Sequence, residues 1–119
     1  MPSEAESVEA VLPLPPATFH ILLALTGEVQ HGYAIIQDVE TRTNGELRLS
    51  AGTLYRSVAR MVEQGLITEV AKRRTVADDE RRRYYRITPF GTAVARAEMR
   101  RLTDLVRLAR ASGLKPRPA

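Results

Sequence analysis

The sequence predicts a mainly α domain with a small β-hairpin, arranged as a winged helix-turn-helix with a long C-terminal dimerisation helix. Three observations carry this prediction. Three apolar-periodic stretches, each closed by a terminator, fill residues 16–65. Two short β-prone stretches, "LITEVA" at 66–71 and "RYYRIT" at 83–88, then flank a charged loop. Finally, "TP" at 88–89 opens a stretch with heptad-like spacing that runs to Ser112 and Gly113.

The chain of 119 residues suits one compact domain with a modest core. With 44% hydrophobic residues it has enough apolar surface to fold. Absence of cysteine excludes a disulfide framework and a thiolate metal site, and suits a reducing cytoplasm. Apolar runs such as "ILLAL" at 21–25 are too short to span a membrane, and "MPSEAESVEAVLP" lacks the pattern of a secretory signal. Charge is unevenly spread. Residues 1–70 carry a net −5 and residues 71–119 a net +9, so the second half presents a basic surface suited to a polyanion.

Residues 1–15 read as a flexible N-terminal tail, small and acidic as far as 11 and ended by "LPLPP" at 12–16. Residues 16–88 read as the DNA-binding domain. Pro16 suits a first helical position, because its missing N–H would be unpaired there anyway. The first helix then spans about 16–27, with Phe19, Leu22, Leu23 and Thr26 as its buried stripe. The second, about 31–43, turns Ile35, Ile36 and Val39 inward and ends at Asn44-Gly45, residues that tolerate positive φ. Ser50 caps the third, Leu54, Val58 and Met61 form its core face, and Gly65 ends it. Strands 66–71 and 83–88 make a two-stranded hairpin around the wing loop. Thr88 caps and Pro89 opens the long helix, 89–111, and 112–119 is a frayed tail.

The third helix is the one that such an arrangement presents outward. At about 100° per residue, Thr53, Ser57, Arg60 and Gln64 cluster about a quarter turn from the core face, with Arg56 further round. They supply donors and acceptors suited to base edges and phosphates. Gly52 in the first turn permits close backbone approach, and the free N–H groups there favour phosphate. Tyr55 is expected to pack its ring at the core edge and send its hydroxyl outward. The wing is basic at its flanks (Lys72, Arg73, Arg74, Arg81, Arg82, Arg83) and acidic at its tip (Asp78, Asp79, Glu80), so the flanks are placed to straddle a phosphate backbone.

In the long helix, Ala95, Met99, Leu102, Val106 and Ala109 follow a 4-3-4-3 spacing, widened by Leu105 and Leu108. Little of its own domain remains to cover this seam, which points to a homodimer with Arg100, Arg101 and Arg107 flanking it. Two-fold symmetry then predicts a pseudo-palindromic operator with half-sites about one helical turn, ~10 bp, apart.

Catalytic chemistry is not written here. His20 and His31 sit in different segments without an i+4 partner, and no P-loop or dinucleotide fingerprint appears. No enzyme, metal or cofactor is expected.

"HILLALTGEVQHGYAIIQDVE", "LRLSAGTLYRSVARMVEQGLI" and "RRRYYRITPFGTAVARAEM", in that order, resemble the PadR family of transcriptional regulators over about residues 16–110. The resemblance implies a homodimeric winged-helix repressor on double-stranded DNA. In it the third helix enters the major groove, the wing touches the backbone or adjacent groove, and a single C-terminal helix dimerises as in the short-chain branch. By motif position, Tyr33 of "HGY" corresponds to a backbone-phosphate contact, and Ser50, Gly52, Thr53 and Tyr55 to the DNA-facing start of the recognition helix. Many relatives carry glycines at the wing tip, where this chain is acidic, and it has no tryptophan for a stacking pocket. A small-molecule effector, as repressors of this family often have, is left open. So are two alternatives: a winged-helix protein-interaction module and a non-specific DNA-binding protein.

Overall fold

The computed structural model describes residues 1–71 and 83–118. Its elements are α1 (Glu4–Ala10), α2 (Pro16–Leu25), β1 (Gln30–His31), α3 (Gly32–Arg42), α4 (Ala51–Glu63), β2 (Ile67–Val70), β3 (Tyr84–Ile87) and α5 (Pro89–Ala111). The architecture is the winged helix. Helices α2, α3 and α4 pack on one another, and the small sheet closes them. α5 leaves from the end of the wing and packs against α1 and α2.

The caps explain the boundaries. Ser50 Oγ accepts the Thr53 amide at 3.1 Å, and Thr88 Oγ accepts the Gly91 amide at 2.9 Å, with Pro89 as the first residue of α5. Each such cap contributes about 1 kcal/mol. The turn after α3 places Asn44 at φ 53° and Gly45 at φ 80°, as their residue types predict.

Three sequence expectations need correction. First, residues 1–11 do not remain an irregular tail. Ser3 caps α1 by accepting the Glu6 amide, and Val8 is buried against α5. Leu14 then enters the core. The acidic composition hid a helix with one apolar anchor. Second, the buried stripe of α2 is Thr18, Ile21, Leu22 and Leu25, whereas Leu23 and Thr26 face solvent. The helix is apolar on several sides, because α3, α4, α5 and β3 all contact it, so periodicity alone leaves the stripe's phase open.

Third, the sheet has three strands in the order β1-β3-β2, not two. β3 pairs antiparallel with β2, Ile67 opposite Ile87 and Val70 opposite Tyr84, and on its other edge with Gln30 and His31. The Gln30 side chain is buried and donates to the Ala24 carbonyl at 2.6 Å and to Asp38 at 3.2 Å. It ties the end of α2 to α3 and leaves its own backbone to pair with β3.

Candidate nucleic-acid interface

The amphipathic pattern of α4 fixes its orientation. Leu54, Val58 and Met61 are buried beneath it. On the opposite side, Gly52, Arg56, Ala59, Arg60 and Glu63 are all exposed. Thr53, Ser57 and Gln64 occupy the flank between these faces and are half-buried. The polar row therefore divides: Arg60 stands outward with Arg56, while Thr53, Ser57 and Gln64 border the domain. Ala59 and Glu63, exposed on the same face, were not singled out from the sequence. Their positions away from Leu54, Val58 and Met61 on the helical wheel are the signal that marks them.

Ser50 is a cap first. Besides accepting the Thr53 amide, its hydroxyl donates to Thr53 Oγ1 at 3.0 Å. Gly52 clears no neighbouring helix: a Cβ there would meet only Arg56 Nη1, at 3.5 Å. The first turn of α4 is thus open to whatever approaches from outside.

"HGY" has a different logic. His31 Nδ1 accepts the Ala34 amide at 3.1 Å and caps α3, and its ring meets Tyr84 edge-on at 5.5 Å. Gly32 is the socket for α4. A Cβ there would lie 3.0 Å from both the Tyr55 hydroxyl and Leu54 Cδ2. The expectation for Tyr55 is corrected accordingly. Its ring remains 53% exposed, and its hydroxyl turns toward Gly32 instead of away from the domain, because the absent side chain leaves the space it fills. Tyr33, one residue on, is 60% exposed. Two tyrosines and two arginines, from α3 and α4, thus stand on the surface around an unobstructed helix start. Behind them Tyr85 is buried in β3, and desolvation, with a lesser contribution from the Glu69 carboxylate, raises its pKa.

Of the wing cations, Arg83 lies at the start of β3 and reaches Glu69 of β2 at 3.9 Å. This is an exposed pair that contributes little to stability. Arg73, Arg74, Arg81 and Arg82, with Lys72 and the acidic tip, lie outside the described residues.

The predicted seam is placed on α5 as follows. Met99 is 61% exposed and Leu105 and Val106 are each 53% exposed, while Ala95, Leu102 and Ala109 are half-buried. Met99, Leu102 and Val106, with Phe19 of α2, border an open apolar groove of about 470 Å³, edged by Arg107 and Arg110.

Among the described residues, no helix is long and apolar enough to cross a membrane, and no group of side chains is placed to hold a metal ion.

Comparison with known proteins agrees with this geometry. Residues 21–97, well over half of the chain, match the transcriptional regulator PadR-like family. The transcriptional regulator Rv3488 of Mycobacterium tuberculosis is 35% identical over 88 residues, 74% of this chain and 77% of that protein. A PadR family transcription regulator from Clostridium difficile superposes with a TM-score of 0.69 at 21% identity, covering 82% of this chain and 97% of the other. A PadR-like regulator from Bacillus cereus gives 0.68 at 19% identity, covering 92% and 97%. At these identities the two structures establish the fold. Taken with the match over residues 21–97, they place the chain in the PadR-like family of transcriptional regulators.

Proposed function

We propose that the protein is a sequence-specific, dimeric DNA-binding repressor. α4 reads the major groove, and two copies bind a pseudo-palindromic operator. The observation that carries this reading is the exposed face of α4. Gly52, Arg56, Ala59 and Arg60, with Glu63, share one side of a helix whose other side is anchored by Leu54, Val58 and Met61. Arginine reads guanine bidentately, and a small apolar residue such as Ala59 suits a thymine methyl. Thr53 and Ser57 on the flank, with Tyr33 and the free amides after Ser50, suit phosphate, while Tyr55, its hydroxyl turned toward Gly32, buttresses the helix start. The basic wing residues Arg73, Arg74, Arg81, Arg82 and Arg83 add sequence-independent attraction.

Dimerisation through α5 is supported by its uncovered apolar seam. Large apolar side chains left this exposed on a soluble domain mark an interaction surface. The Phe19 groove lies on the same side and would be covered by the same second copy.

The deciding measurement is fluorescence anisotropy with the protein's own upstream DNA and with a scrambled duplex, each over a salt series. A preference of about 10³ or more for the native duplex, with both complexes weakening in salt, supports a reader of sequence. Equal binding of the two duplexes would reduce the protein to a non-specific binder. Absence of DNA binding would favour a protein-interaction module.

A further inference from the structure

α5 is held to its own domain only along its first half. Val94 and Glu98 are its last buried residues, Arg101 and Leu102 are half-covered, and from Thr103 to the end of the helix every residue but Ala109 is exposed. At this exit point stands a carboxylate that is only 2% exposed. Glu98 Oε2 accepts the backbone amide of Leu14 at 2.8 Å, and Glu98 Oε1 accepts from Arg101 Nε, one turn further along α5. Leu14 is itself in the core and ends the strap that α1 begins. The strap, the helix and the arginine thus meet on one buried charge. A buried carboxylate is costly unless fully paired, and a hydrophobic residue would fill the space more cheaply. What the ionic arrangement supplies beyond packing is direction: the hydrogen bond from Leu14 fixes α5 to the strap as it leaves the domain, and Arg101, on α5 itself, holds the carboxylate in the orientation that accepts it.

We infer that Glu98, latched by the Leu14 amide and Arg101, is a positioning residue that sets the angle of α5 and thereby the operator half-site spacing the dimer accepts. The inference rests on the dimeric reading above. From Glu98 to Ala111 the helix extends about 20 Å at ~1.5 Å per residue. A tilt of about 10° at the exit displaces its far end by about 3.5 Å, close to the ~3.4 Å rise of one base pair. Two-fold symmetry applies the same tilt to both protomers. Small angular freedom at the latch therefore translates into base-pair-scale freedom between the two reading helices.

The experiment measures binding to duplexes carrying one half-site, and to duplexes carrying two half-sites with one base pair removed, none added, or one or two added. Sedimentation of the same samples reports the oligomeric state. Wild-type protein is expected to prefer one spacing by about tenfold or more over its neighbours. Glu98→Gln and Arg101→Gln are expected to flatten that preference to about threefold or less, while half-site affinity and dimer mass stay as in wild type. Arg101→Lys, which restores a donor, is expected to recover much of the selectivity. Should both glutamine variants lose only thermal stability and keep the wild-type spacing profile, Glu98 is a packing residue and the inference is overturned. A wild-type monomer, or a wild type indifferent to spacing, would refute the dimeric reading itself. Arg101→Gln keeps the Glu98 carboxylate and removes only the partner that orients it toward Leu14, so one variant remains informative if Glu98→Gln fails to fold.

Discussion

Gly91 sits in the first turn of α5, where the helix crosses the end of β2 and β3. A Cβ added there would lie 2.9 Å from Ile87 Cγ1 and 2.9 Å from the Leu66 carbonyl carbon, and closer still to the Leu66 oxygen. Ile87 has some freedom to turn, but Leu66 is backbone. Its carbonyl already accepts the Thr88 amide at 3.0 Å and the Thr88 hydroxyl at 3.1 Å. Gly91→Ala must therefore push α5 off the sheet by about 1 Å, straining the hydrogen bonds that start the helix; overpacking of this kind costs about 1–3 kcal/mol. Because the obstacle is backbone, the upper end applies. Alanine returns about 1 kcal/mol through its helix propensity. The net expectation is a loss of about 2 kcal/mol, equivalent to a fall in Tm of about 10 °C. Urea unfolding followed by circular dichroism measures it, with an unchanged m-value confirming that the folded state is the one affected. Gly52→Ala is the control: with only Arg56 at 3.5 Å, it should be neutral or gain up to about 1 kcal/mol. An unchanged or higher midpoint for Gly91→Ala would refute the close-approach argument.

Other outcomes follow from the same geometry. Arg60→Ala should weaken binding to the native duplex by about 1–3 kcal/mol and leave scrambled DNA much less affected, as anisotropy would register; an equal loss on both would make Arg60 a phosphate contact. Val106→Glu should leave the protomer folded and weaken self-association at least about tenfold, because the carboxylate would be buried without a partner; an unchanged sedimentation profile would remove α5 from the interface. Glu98 gives the acid dependence. The Arg101 hydrogen bond, with help from the Leu14 amide and against the effect of burial, lowers its pKa. The unfolded chain thus takes up this proton first, so the stabilisation is fully present above the ordinary glutamate value of ~4.3 and is lost as pH falls through the folded value. Acid unfolding of Glu98→Gln should accordingly be shallower than that of wild type over this range.

Much of this fold was readable because its punctuation is local. Ser50, Thr88-Pro89 and Asn44-Gly45 act through their own backbone, and each marks a boundary within a residue or two of its observed place. What stayed hidden depends on distant partners. Gln30 and His31 become a strand only because Tyr84 and Tyr85, far along the chain, offer an edge. α1 exists as a packed element because Val8 and Leu14 find α5, and Glu98 looked like one more charge on a basic helix until Leu14 reached it. The proposed interface was legible in the sequence only as far as exposure goes: Arg56, Arg60 and Gly52 stood out by type, and all three are exposed. Ala59, exposed beside them, did not, because alanine carries no chemical label.

The two-residue strand β1 also constrains how the molecule comes together. Pairing Gln30 with Tyr85 closes a loop that contains α3, α4, β2 and the whole wing. Loop-closure entropy must be met before such a contact contributes anything, so the helices can assemble from near neighbours while the sheet waits for the chain to return. Seating His31 against Tyr84 thus waits on the return of the chain, and the sheet beside α4 is complete only when β3 arrives. A ribosome-bound chain that has not yet emitted Tyr85 holds all three packed helices without the strand that closes them.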